Sequence, residues 1–271
     1  MKMLNGSELA GFIKERQARQ VRSLRSKKIY PKLAIVQVKT DPVTNAYMRM
    51  KKKYGDDIGV EVDIHNPSQA EAAGLIQKLN EDESVYGIIV QLPLPDPSET
   101  DELVNLISPN KDIDGLGDKA EFEPATPMAI LWLLAGYNID LQGRKVLLIG
   151  LGKLVGAPLK KIFESSGVKL TVATRENKDL TPFTLEADVI ISAANAAAIL
   201  TSNMLKPGTV VVDAGVAGEA GKTVGNLAEE VYERDDLVLT PRKGGVGPLT
   251  VCALFENVIR AAEKKSHETK N

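Results

Sequence analysis

Short apolar runs recur along this chain with helix-compatible segments between them, and that alternation restricts the available folds more than any other feature. In the second half the runs are Lys145-Val146-Leu147-Leu148-Ile149-Gly150, Leu170-Thr171-Val172-Ala173-Thr174, Asp188-Val189-Ile190-Ile191-Ser192, Thr209-Val210-Val211-Val212-Asp213 and Leu237-Val238-Leu239-Thr240, fairly evenly spaced. Runs this short read as buried strands, and helices placed between strands cover the faces of a parallel sheet. The first half repeats the pattern, with apolar runs near 32–38, 60–64 and 86–92 and helical segments near 6–26, 44–58 and 68–80. A chain of 271 residues has room for two modest domains. The pattern predicts an α/β fold in two domains. One is an N-terminal α/β domain over residues 1–124, and the other a doubly wound sheet over 125–247. The last amphipathic helix, about 248–265, is expected to pack back on the N-terminal domain.

The loop Gly150-Leu151-Gly152-Lys153-Leu154-Val155-Gly156 follows the strongest of these strands and opens a helix. Glycines there permit a tight turn and let backbone N–H groups approach a pyrophosphate at a helix N-terminus. The spacing is one residue longer than the common dinucleotide fingerprint. Its place at the first strand of a five-strand series marks the second domain as Rossmann-like. At the end of the next strand stand Arg175, Glu176 and Lys178. An acid there suits the free ribose hydroxyls of NAD, whereas an arginine suits the extra phosphate of NADP. Both types are present, and the two cations favour NADP with NAD as the alternative.

In the first half, Tyr47 and Lys51 lie four residues apart just after the strand-like run Leu33–Val38. On a helix that spacing puts the phenol and the ammonium on one face, beyond the carboxyl end of a strand, where open α/β sheets bind ligands. Asp41-Pro42 marks the turn, with Thr44 or Asn45 as the expected helix cap. Gln91-Leu92-Pro93-Leu94-Pro95 ends another buried run, and the amide of Gln91 can orient a lysine without forming an ion pair. Pro109-Asn110-Lys111-Asp112-Ile113-Asp114-Gly115 is a turn-rich loop with two acids. One acid is suited to accept hydrogen bonds from a nitrogenous ring. The competing reading is a side-chain-capped turn closed by Gly115.

Composition removes several classes. A net charge of −2, with no aromatic-interleaved basic stripe, gives no footprint for nucleic acid. No apolar run is long enough to span a membrane. Cys252 is the single cysteine, and the two histidines, His65 and His267, have no carboxylate cluster beside them. No metal centre is therefore expected, and a cytoplasmic location is.

Taken in order, Tyr47 with Lys51, Gln91-Leu92-Pro93-Leu94-Pro95, Lys111-Asp112-Ile113-Asp114-Gly115, Thr126-Pro127 and Gly244-Gly245-Val246-Gly247-Pro248-Leu249-Thr250 resemble the bifunctional methylenetetrahydrofolate dehydrogenase/cyclohydrolases over nearly the whole chain. The resemblance implies NADP-dependent oxidation of 5,10-methylenetetrahydrofolate and hydrolysis of the product to 10-formyltetrahydrofolate. It implies an acid/base role for Lys51, folate stacking by Tyr47, positioning of the lysine by Gln91 and a pterin contact at Asp114. Leu92, Pro93, Gly245 and Pro248 complete the implied substrate site. Implied cofactor contacts are Thr126, Gly150, Leu151, Gly152, Lys153, Val155, Arg175, Glu176, Gly215, Val216 and Thr250. Tetrahydrofolate one-carbon derivatives are the implied ligands, and a homodimer the implied assembly. Three departures stand out. Leu151 replaces the usual loop arginine, Thr174-Arg175-Glu176 replaces the frequent Cys-His-Ser, and Arg242-Lys243 replaces Val-Pro before the glycines. A different two-domain NAD(P)-dependent dehydrogenase, or a silent dinucleotide-binding homologue, would not need Tyr47, Lys51, Gln91 and Asp114 together.

Overall fold

The computed structural model describes residues 2–215, 217–219 and 222–268. In chain order these form β1 (Lys2–Met3), α1 (Gly6–Ser26), β2 (Lys32–Val36), α2 (Pro42–Ile58), β3 (Glu61–His65), α3 (Gln69–Glu81), β4 (Gly87–Val90), α4 (Thr100–Asn105) and α5 (Ala125–Gly136). There follow β5 (Lys145–Ile149), α6 (Gly156–Ser165), β6 (Lys169–Ala173), α7 (Thr181–Glu186), β7 (Val189–Ser192), β8 (Val210–Asp213), β9 (Ala217–Glu219), β10 (Lys222–Val224), β11 (Val238–Leu239) and α8 (Val246–Glu268). The chain divides into two compact units, Met1–Ala10 with Thr126–Thr250, and Gly11–Ala125 with Val251–Asn271. The eight apolar runs of the sequence all become strands.

The unit of Gly11–Ala125 holds a parallel sheet in the order β3-β2-β4. Every residue of β4 is buried, as helices on both faces of a parallel sheet require. Val36, Ile76, Ile88 and Leu103 share one apolar layer with Leu116. The chain passes from β2 through α2 to β3 on one side, then crosses back through α3 to β4 on the other, so the two connections run in opposite directions across the sheet. That reversal opens a crevice at the carboxyl end of β2, where α2 begins.

The other unit contains a six-stranded sheet in the order β1-β11-β8-β7-β5-β6, all parallel. Here the reversal falls at β5, which pairs with β6 and β7. The glycine loop leaves the sheet at that point. β6 is the edge strand, and its residues alternate exposed and part-buried, whereas β5 and β7 are buried along almost their whole length.

The first ten residues depart from the expected boundary at 124/125. Lys2 and Met3 pair with Val238 and Leu239, so the amino terminus belongs to the six-stranded unit. Two residues offer too little periodicity to mark a strand. The body of α8 from Val251 belongs to the three-stranded unit. No described helix is long and apolar enough to cross a membrane.

Candidate active site

Asp41, rather than Thr44 or Asn45, caps α2. The Thr44 N–H donates to Asp41 Oδ1 at 2.8 Å, and the Asp41 N–H donates back to Thr44 Oγ1 at 3.0 Å. This reciprocal pair starts the helix two residues earlier than the sequence suggested. A buried amide missed by sequence reasoning, Gln37, follows β2 and donates from Nε2 to Asn45 Oδ1 at 2.8 Å. It also accepts from Asn66 at 3.2 Å. Gln37 thus ties the first turn of α2 to the edge of the sheet. Its signal was a polar residue inside an apolar run, which is uninformative without the fold.

Two turns along α2, the Lys51 Nζ donates to Gln91 Oε1 at 2.8 Å. The other end of that amide donates to the Leu92 carbonyl at 2.8 Å, which leaves only the oxygen to face the lysine. Tyr47 lies one turn back on the same face and is half-buried. Leu92 is half-buried after Gln91, and Pro93 is exposed. Burial lowers the pKa of Lys51 below the usual lysine range, while the carboxylate of Asp114 pulls it the other way. Arg49, Lys52 and Lys53 take no part in this balance. All three are exposed, and Lys53 pairs with Asp57.

The Lys111–Gly115 segment separates the two readings of its acids. Lys111 Nζ donates to the carbonyls of Leu79, Asn80 and Asp82 at 3.1, 2.7 and 2.8 Å, closing the end of α3. Asp112 forms the capped turn, accepting from the N–H groups of Gly115 at 3.0 Å and Gly117 at 2.7 Å. Ile113 is fully buried, and Gly115 takes a φ of 68°, which favours glycine. Asp114 is left over. Its carboxylate accepts no hydrogen bond among the described residues. Burial raises its pKa, Lys51 lowers it, and Asp112 adds to the rise. Lys51 and Asp114 thus lie near enough for each to act on the other's charge, and the carboxylate is left with an open acceptor.

In the six-stranded unit Gly150 has a φ of 93°, and a Cβ on Gly156 would overlap the Gly150 carbonyl. These two glycines make the turn. Gly152 has open space around the same point, so its backbone is accessible to a ligand. Val155 stands at the N-cap of α6 and supplies no side-chain cap. The Val155 and Ala157 N–H groups donate to the Gly152 carbonyl at 3.3 and 3.1 Å and Pro158 has none, which leaves the Gly156 N–H for an anion. Leu151 is 39% exposed on this loop, and Lys153 is half-buried there. Arg175 and Glu176 are exposed in a turn held by the Thr174 N–H donating to Asn177 Oδ1 at 2.9 Å. Thr126 is half-buried in the first turn of α5.

At the ends of β7 and β8, Asp213 accepts from Gly215 N–H at 2.9 Å and Asn226 N–H at 2.8 Å. Asn226 in turn accepts from Ser192 Oγ at 2.6 Å and the Ala194 N–H at 3.1 Å. Gly215 therefore sits in a fixed loop, while Val216 lies outside the described residues. Gly245 is buried and Pro248 half-buried at the start of α8, and Thr250 Oγ1 donates to the Val246 carbonyl at 3.3 Å. Among the described residues no group of three histidine, cysteine or carboxylate side chains is placed to hold a metal ion.

Residues 4–114 match the family described as tetrahydrofolate dehydrogenase/cyclohydrolase, catalytic domain, and residues 124–266 match the NAD(P)-binding domain of the same family. The bifunctional protein FolD of Campylobacter jejuni is 36% identical, with 98% of this chain and 99% of that one covered. The crystal structure of the bifunctional FolD methylenetetrahydrofolate dehydrogenase/cyclohydrolase from Campylobacter jejuni superposes with a TM-score of 0.91 at 36% identity, covering 98% of this chain and 99% of that one. A Trypanosoma brucei methylenetetrahydrofolate dehydrogenase-cyclohydrolase, solved with NADP and an inhibitor, superposes with a TM-score of 0.88 at 25% identity, covering 97% and 98% of the two chains.

Proposed function

The chain belongs to the tetrahydrofolate dehydrogenase/cyclohydrolase family, and on that premise we propose that it oxidises 5,10-methylenetetrahydrofolate and hydrolyses the resulting methenyl cation to 10-formyltetrahydrofolate. The observation that carries the reading is Lys51 hydrogen-bonded to Gln91 in the unit that also holds the unpartnered carboxylate of Asp114. Asp114 is assigned to the nitrogens of the pterin ring, and Tyr47 to its face. In the hydrolytic step water adds to the methenyl carbon, and the neutral amine of Lys51 takes the proton that water loses. Opening of the imidazoline C–N bond then leaves the formyl group on one nitrogen while the hydroxyl proton passes to the other, and the proton held by Lys51 is released to solvent. Gln91 holds Nζ in place by accepting one of its hydrogens, so that the nitrogen lone pair stays free for the water.

The glycine loop fits a dinucleotide. Gly152 gives open access to backbone, and the Gly156 N–H at the start of α6 would hold a pyrophosphate. When bound, an oxidised nicotinamide would supply the acceptor for the hydride of the methylene carbon. We assign the folate to the unit of Gly11–Ala125 with Val251–Asn271, and the cofactor to the other. Thr126, Lys153, Gly215 and Thr250 are assigned to the cofactor, and Leu92 and Pro93 to the folate, while Gly245 and Pro248, which the resemblance gives to the substrate, belong to the cofactor unit.

NADP is the proposed cofactor, and Arg175 its phosphate ligand. Leu151 brings no charge to the loop, and the Arg175 side chain has no hydrogen bond or ion pair among the described residues. The Trypanosoma brucei relative was solved with NADP. Since Arg175 is exposed, the lower end of charge-assisted energies applies, about 1.5 kcal/mol or roughly tenfold. Arg175→Ala should therefore raise the KM for NADP about tenfold and leave that for NAD nearly unchanged. A coupled assay of methylenetetrahydrofolate oxidation with each cofactor measures both. A wild type that prefers NAD would assign the ribose to Glu176 and remove Arg175 from this role. The family resemblance further supports a cytoplasmic homodimer, and sedimentation at a single 29.3 kDa chain would exclude the dimer.

A further inference from the structure

Asn257 sits near the middle of α8 and is fully buried, beside the equally buried Phe255, Val258 and Ile259. A helix face of that kind favours an apolar side chain. The amide Nδ2 donates to the carbonyl of Ile113 at 2.9 Å and to that of Glu123 at 2.9 Å. The Oδ1 is buried with no hydrogen-bond partner. An orphaned acceptor offsets much of what the two bonds contribute, so stability gives little reason to keep an amide here. What the two bonds accomplish is geometric.

Ile113 immediately precedes Asp114, and Glu123 lies ten residues further on. Asn257 therefore clasps both ends of the segment that Asp114 begins. The remaining constraints fix the backbone around that point. The Ile88 N–H donates to the Lys111 carbonyl at 2.8 Å, and Asp112 holds the N–H groups of Gly115 and Gly117. A Cβ on Gly87 would come within 2.8 Å of the Ile113 side chain, so the neighbouring strand admits nothing larger there. Asp114 has no side-chain partner of its own to set its direction. Its aim is fixed by the backbone on either side, and on the Ile113 side that backbone is held by Asn257.

We infer that Asn257 is a positioning residue for substrate, acting through Asp114 from the buried middle of α8. The inference rests on the reading of Asp114 as the folate ligand.

The test is a double-mutant cycle on the full chain. Binding of 5-formyltetrahydrofolate, a stable reduced folate, is titrated calorimetrically to wild type, Asn257→Ser, Asp114→Ala and the double variant, with NADP titrated in parallel. Asn257→Ser is expected to weaken the folate roughly tenfold and NADP by less than twofold. In the Asp114→Ala background the same substitution should have less than a twofold effect. An unchanged folate affinity in Asn257→Ser, an equal loss in both backgrounds, or a parallel loss of NADP would overturn the inference alone. If wild type does not bind the folate, or Asp114→Ala binds it as well as wild type, the reading of Asp114 falls and the inference with it. Asn257→Leu, close in volume, repeats the cycle if the serine variant does not fold. Failure of both to fold would make Asn257 a structural residue and also overturn the proposal.

Discussion

Replacing Lys51 by methionine is expected to lower the cyclohydrolase rate by about 10²- to 10⁴-fold, the usual contribution of a positioned acid or base. Methionine keeps most of the stem and removes the amine. The partner left behind, Gln91, is half-buried and retains its second bond to the Leu92 carbonyl, so the fold should persist. The pH dependence carries the same information in another form. The neutral amine is the active species, so the wild-type rate should fall as pH drops through the pKa of Lys51. Burial lowers that pKa, which places the acid limb below the ordinary lysine value of about 10.4. The charge of Asp114 opposes the shift, so Asp114→Asn should move the limb lower still. Methenyl hydrolysis, corrected for the spontaneous reaction, reads both effects. More than half of wild-type activity in Lys51→Met, or an acid limb that survives in it, would assign the proton transfer to another group.

Gly156→Ala should be strongly damaging to the six-stranded unit. The added methyl would overlap the carbonyl oxygen of Gly150 and come within 2.8 Å of the Leu151 Cα. Both are backbone and cannot rotate away, so the helix must retreat from the strand. Overpacking of this kind costs typically 1–3 kcal/mol. Displacing the Gly156 N–H assigned to the pyrophosphate should weaken NADP by a further ~10²-fold, a common penalty for a shift of about 1 Å in a positioned group. Gly152→Ala is the control, because that position has open space and its φ needs no glycine. It should leave thermal stability within experimental error and weaken only the cofactor. Equal melting temperatures for Gly156→Ala and wild type would show that the turn relaxes and that the overlap is harmless.

The strands were legible because each is a compact apolar run ended by a turn former, and the glycine loop because it follows such a run. The pairing of Tyr47 with Lys51 was legible from helical spacing alone. The division of labour within Lys111-Asp112-Ile113-Asp114-Gly115 was not. Two acids two residues apart look alike in sequence, and only backbone direction decides which one accepts the N–H groups of Gly115 and Gly117. Gln37 and Asn257 escaped notice for a related reason. Each is an amide in an apolar setting whose partners are 8 residues away or more than 130. The perturbation of Lys51 comes from burial against the Asp114 charge, while the run of cations beside it faces solvent.

The pairing of Lys2–Met3 with Val238–Leu239 bears on how the chain is made. A ribosome completes the first of these strands at residue 3 and begins the second at residue 238, 235 residues later. At about 5–20 residues per second, the amino terminus waits on the order of 10–50 s for its partner. The three-stranded unit waits longer, since Gln17 donates to the Cys252 carbonyl and the Ile113 carbonyl accepts from Asn257. Neither unit is a contiguous stretch of sequence, so the closing of both falls late and nearly together, after their local helices and central strands have been made.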